Sequence, residues 1–145
     1  MPFQFPLAKV LLVRESVKKQ EERALQKIVF DMLRVAHEIE NLTAEIAEAH
    51  NAVERVLQQP IPAIEVQSLI GTAQTAAEDR TILVRELQTL EENRERQLAA
   101  YHAAHRNCEV LIDLLDKQRD AYEQEHERIE QKQQDDIFVA RRPRS

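Results

Sequence analysis

From Leu25 to Val56, apolar side chains return at alternating intervals of three and four: Leu25, Ile28, Met32, Val35, Ile39, Leu42, Ile46, Ala49, Val53 and Val56. A mean spacing of about 3.5 residues keeps them on one side of a slightly underwound α-helix. Such a stripe needs a second helix with a matching stripe to cover it. The partner is either another part of this chain or another molecule.

The chain carries a candidate partner. Val66, Ile70, Ala73, Ala77, Arg80, Val84, Leu87, Glu91, Arg94, Leu98, Tyr101, His105, Cys108, Ile112, Leu115, Arg119, Tyr122, His126 and Ile129 follow the same rhythm. Between the seams stands Gln58-Gln59-Pro60-Ile61-Pro62, where each proline removes a donor and pushes its predecessor out of the α region. Two seamed helices joined by a short turn are best satisfied as a hairpin. The expected fold is all-α: a single domain over 1–145, two long helices forming an antiparallel coiled-coil hairpin. Helix 1 is expected at about 6–58, the proline turn at 59–62, helix 2 at 63–136 and a tail at 137–145. Gly71 weakens the first turns of helix 2, and Thr75-Ala-Ala-Glu78 would make a capping box if the regular helix began there.

The early part of helix 1 is less regular. Its register runs back from Leu25 through Glu21, Lys18 and Arg14 to Leu11 and Leu7, so three consecutive seam positions are charged. These are expected beside helix 2 between about Asn93 and Arg106, fixing register at some expense in stability. Val10, Val13 and Val17 form a second stripe, which suggests a broader covered face here. Helix 2 is the longer. An overhang of roughly 30 Å is expected from about Leu115, with Tyr122 and Ile129 continuing the seam where no intramolecular partner remains.

Composition narrows the function. One Gly, no Trp, 4% aromatic and 32% charged residues describe long solvated helices rather than a thick core. A net charge of −6 argues against nucleic acid, whose phosphates need a basic surface. The charge is uneven: residues 1–30 hold six Lys/Arg against three acids, and 111–136 hold four against nine. Cys108 is the single cysteine, and with no secretory signal and no apolar run of membrane-spanning length the expectation is a cytosolic protein.

No chemistry of an enzyme emerges, and no cofactor is expected. One Gly excludes a phosphate-cradling loop. His102, His105 and Cys108 recur at intervals of three, but such steps walk around the helix and do not converge on a metal; interhelical packing is the better account. Glu91-Glu92 and Asp135-Asp136 lie on a helical surface without the concavity that shifts acidities for catalysis. His37, His50 and His126 lack a neighbouring nucleophile and orienting acid. The ending is more distinctive: Asp135-Asp136, then Ile137-Phe138-Val139, then Arg141-Arg142 form a compact adhesive end.

Three features belong together: the opening Phe3-x-Phe5-x-Leu7-x-x-Val10-Leu11-x-x-Arg14-Glu15, the mid-chain break between two heptad helices, and the ending Asp135-Asp136-x-Phe138-x-x-Arg141. With them the chain resembles the flagellar export protein FliJ family of the type III secretion apparatus. The resemblance spans essentially the whole chain. It implies an antiparallel coiled coil, similar to the stalk subunit of rotary ATPases, that inserts into the hexameric export ATPase and links it to the export gate protein FlhA and to export chaperones. It would be peripheral to the inner membrane through that machine. Only the two ends carry over as partner-binding: Phe3, Phe5, Leu115, Tyr122, Ile129, Asp135, Asp136, Phe138, Arg141 and Arg142. The alternative is a self-associating cytosolic coiled-coil scaffold or tether.

Overall fold

A computed structural model describes residues 2–60 and 63–141. It is an all-α hairpin of two long helices, α1 (Ala8–Leu57) and α2 (Ala63–Arg141), packed against each other. Pro6 and Leu7 form a turn that leads into α1, where Leu11 N donates to Leu7 O at 2.9 Å. Helix α1 therefore begins at Ala8, two residues after the expected start. Its end is closed by Gln59 N donating to Val56 O at 3.1 Å, ahead of Pro60. The second half of the expected proline turn, Ile61 and Pro62, lies outside the described residues.

Helix α2 is continuous from Ala63, so Gly71 lies inside it and Thr75 does not act as a cap. It also runs to Arg141 rather than ending near 136. The segment Ile137–Arg141, expected as tail, is helical.

The contacts divide into two units, Glu21–Ala100, and Met1–Gln20 with Tyr101–Ser145. In the first, every α1 seam residue from Leu25 to Val56 is buried or partly buried, with Val35 at 0% exposure. The expected register of α1 is the one observed.

Helix α2 differs by one position. Ala73, Arg80 and Leu87 are covered as expected, but their companions are Leu69, Ala76, Leu83 and Leu90 rather than Ile70, Val84 and Glu91, which are exposed. Ala77 is partly buried beside Ala76. The shift is physically economical, because the observed row replaces Glu91 and Arg94 with Leu90 and the partly buried amides Asn93 and Gln97. A buried charge costs far more than a hydrogen-bonded amide. Arg80 remains at the edge, donating from Nη1 to Thr43 Oγ1 at 3.5 Å.

The same shift holds in the other unit. Tyr101, Ala104, Cys108, Leu111, Leu115, Gln118 and Tyr122 are covered, whereas Ile112 is 39% exposed and Arg119 is exposed. Cys108, at 1% exposure, is a packed apolar residue. His105 is half-buried, stacks on Tyr101 with centroids 6.1 Å apart, and directs Nε2 to Glu109 Oε1 at 3.0 Å. On α1, Leu7, Leu11 and Lys18 face inward, but Glu15 rather than Arg14 is partly buried between them. Val10, Val13 and Val17 are exposed, so the broader covered face expected there is not formed.

The candidate partner-binding end

The unit of Met1–Gln20 and Tyr101–Ser145 holds every residue that the sequence marks for partner binding. Pro2–Phe5 is non-helical, because Pro2 and Pro6 bracket it and prevent helix from propagating backwards. That short non-helical run brings the two phenylalanines to α2. The Phe3 ring lies 5.5 Å from the Tyr122 ring at an interplanar angle of 46°, and the Arg119 guanidinium sits 5.9 Å from the Phe3 centroid. Tilted aromatic pairs at this distance add about 0.5–1.5 kcal/mol beyond the area they bury. Arg119 gains a cation–π contact there.

Phe5 and Leu115 meet in an adjoining groove of about 450 Å³, lined also by Phe3, Ala8, Leu11, Leu12, Glu15 and Arg119. Phe3, Phe5, Leu115 and Tyr122 are thus brought together as one cluster. This corrects the expectation that the unpartnered stripe begins at Leu115. Phe3 covers Tyr122, and Gln118 is partly buried, so the covered part of α2 extends to Tyr122. Tyr122 also stacks on His126, with centroids 6.0 Å apart and planes 8° from parallel.

Beyond Tyr122 the environment changes abruptly: every residue from Glu123 to Arg141 is exposed. At about 1.5 Å per residue this segment projects about 28 Å. It remains helical on local terms, rich in Glu, Gln, Lys and Arg, with Arg128 Nη2 2.9 Å from Glu125 Oε1 and His126 Nε2 3.1 Å from Glu130 Oε1. Ile129 is 46% exposed and Phe138 70%. Asp135, Asp136 and Arg141 are exposed on the same segment, and Arg142 lies outside the described residues. None of the described ones is drawn into the Phe3–Tyr122 cluster.

This end comprises an aromatic clasp, an open groove beside it, and a long bare helix ending in an acidic, apolar and basic sequence. It offers contact area and charge; among the described residues no group of three or more His, Cys, Asp or Glu is placed to hold a metal ion. Sequence reasoning missed Arg119 as a partner of Phe3. Periodicity reports on residues within a helix, and Phe3 lies outside one.

Residues 3–144 match the family described as Flagellar FliJ protein. The chain belongs to the FliJ family. Membership makes it a component of flagellar type III protein export. The FliJ match includes both the Phe3 clasp and the exposed end of α2. No curated protein and no solved structure matches the chain. Among the described residues of this FliJ-family chain, no helix is long and apolar enough to cross a membrane.

Proposed function

We propose that this chain is the non-enzymatic stalk of the flagellar export machine, entering the hexameric export ATPase with its termini and coupling it to the export gate protein FlhA and to export chaperones. In this reading it works in the cytoplasm, peripheral to the inner membrane through the machine. The observation that carries the reading is the exposed helix Glu123–Arg141, joined to a hairpin whose covered surface stops at Tyr122. Every residue of this segment is exposed, and it carries the two kinds of contact a rotating or repositioned insert needs. Ile129 and Phe138 supply apolar anchoring, and Asp135, Asp136, Arg141 and Arg142 supply charge that steers association.

The test is stimulation of the export ATPase by the wild-type chain, by a chain ending at Tyr122, and by a variant with the Gln58–Pro62 turn replaced. The expected result is full stimulation by the turn variant and none by the truncation. Full stimulation by the truncation together with failure of the turn variant would reverse the proposed orientation.

A further inference from the structure

The exposed end of α2 has an internal symmetry that the hairpin does not use. If the intramolecular register continued past Tyr122 it would pass through Glu125, Ile129, Lys132, Asp136 and Val139, a row with three charges. The least charged row instead follows His126, Ile129, Gln133, Ile137 and Ala140, with no Asp, Glu, Lys or Arg and steps of three, four, four and three. The four steps span fourteen residues, a mean of about 3.5, so the row stays on one side of the helix as a heptad seam does. The positions of the row, though not all of its residues, are symmetric about Gln133: Ile129 and Ile137 stand four residues to each side, and His126 and Ala140 stand seven.

We propose that this segment is a self-recognition surface that pairs antiparallel with the same segment of a second copy, with the two-fold axis at Gln133. A stripe symmetric about one residue is what an isologous contact requires, since each copy presents to the other what it receives. Ile129 packs on Ile137 of the second copy, and the reverse contact follows by symmetry. The two Gln133 amides meet at the axis, where a polar pair sets register.

The charges on the flanks agree. In an antiparallel pair, each flank of a helix meets the same flank of its partner, running the other way. On one flank, at about 100° per residue, lie Glu123, Glu127, Glu130, Gln134 and Arg141, so Arg141 falls between Glu123 and Glu127 of the second copy and Glu130 falls beside its Gln134. On the other flank lie Glu125, Arg128, Lys132, Asp136 and Val139, so Asp136 falls between Arg128 and Lys132 of the second copy, while Glu125 pairs with Arg128 of its own helix and falls beside the second copy's Val139. Both flanks are complementary in this register. A parallel alignment would set Ile137 on Ile137 but place Glu123 and Glu127 beside Glu125 of the second copy. The contact is short, so the pair is weak and concentration-dependent, and any partner that takes the stripe displaces it. The inference is independent of the ATPase reading.

The experiment is sedimentation equilibrium of the full chain across a concentration series, with helicity followed by circular dichroism. Three proteins are compared: wild type, E123K/E127K and R141E. Wild type is expected to show a monomer–dimer equilibrium, and each variant alone to associate about ten-fold more weakly with unchanged helicity. An equimolar mixture of the two variants restores wild-type association, because each copy then meets its opposite charge. A wild type that stays monomeric throughout, variants that associate as wild type does, or a mixture no stronger than its components would each overturn the proposal. Such a failure leaves ATPase stimulation untouched and so stays distinct from a failure of the stalk reading.

Discussion

Gln97 reaches from α2 to α1 and donates through Nε2 to two acceptors on Glu21: the backbone carbonyl, at 3.0 Å, and the carboxylate. Of the three charged seam positions of early α1, Glu21 is the one whose pairing is resolved in atomic detail, and its partner is a neutral amide within the expected Asn93–Arg106 stretch. A half-buried carboxylate satisfied by an amide avoids the cost of a second buried charge. The bond exists only when Gln97 stands opposite Glu21, so a slip of α2 along α1 would strand a half-buried acid.

Replacing Gln97 with Ala should therefore destabilise the hairpin by about 1–2 kcal/mol, since it leaves the Glu21 carboxylate without its donor. The double variant E21L/Q97L should recover that loss or exceed wild type, because both polar partners go together. Thermal melts followed by circular dichroism at 222 nm check both; a Q97A melting point equal to wild type would show that the bond carries no net stability.

The aromatic clasp gives a second expectation. Phe3→Ala and Tyr122→Ala should each destabilise the terminal unit, and the double variant should cost less than the two together by about 0.5–1.5 kcal/mol. Amide hydrogen exchange in Ala8–Leu12 and Leu115–Tyr122 is the sensitive readout, because local opening there precedes global unfolding. Strict additivity would mean that the two rings do not hold each other.

A third test addresses the position of the α2 seam. Leu111 and Ile112 are neighbours, but Leu111 faces α1 while Ile112 is 39% exposed. Leu111→Ala should cost about 2 kcal/mol or more, and Ile112→Ala less than half of that. Equal costs, measured by chemical denaturation, would place the seam between them. The exposed Val13 provides a control, with a cost within about 0.5 kcal/mol on change to Ala.

Gly71 supplies the opposite sign. It sits within α2 without a positive φ, and a Cβ added there meets nothing within 4 Å. Gly71→Ala should stabilise by about 1 kcal/mol by removing the entropy that glycine loses in a helix. The expected rise in melting temperature is about 3 °C. A fall would reveal that the first turns of α2 depend on a bare backbone.

The α1 seam was legible in sequence because only one apolar row runs from Leu25 to Val56 in strict heptad rhythm, and a single row leaves a helix one way to bury itself. The hairpin followed from the prolines, which remove donors wherever they stand. Helix α2 was ambiguous for a definite reason. At Leu69-Ile70, Leu83-Val84 and Leu111-Ile112 two apolar residues stand side by side, about 100° apart on the helix. Either member completes a heptad with Ala73, Leu87 and Cys108. Periodicity cannot choose between the rows; packing against α1 can, and it selects the one that leaves Glu91, Arg94 and Arg119 in water. The Phe3 clasp was beyond sequence for a different reason, since a non-helical residue has no period to announce where it lands. Helical pattern determined which elements form, and the tertiary contacts decided which side of α2 turns inward and how far along it the covered surface extends.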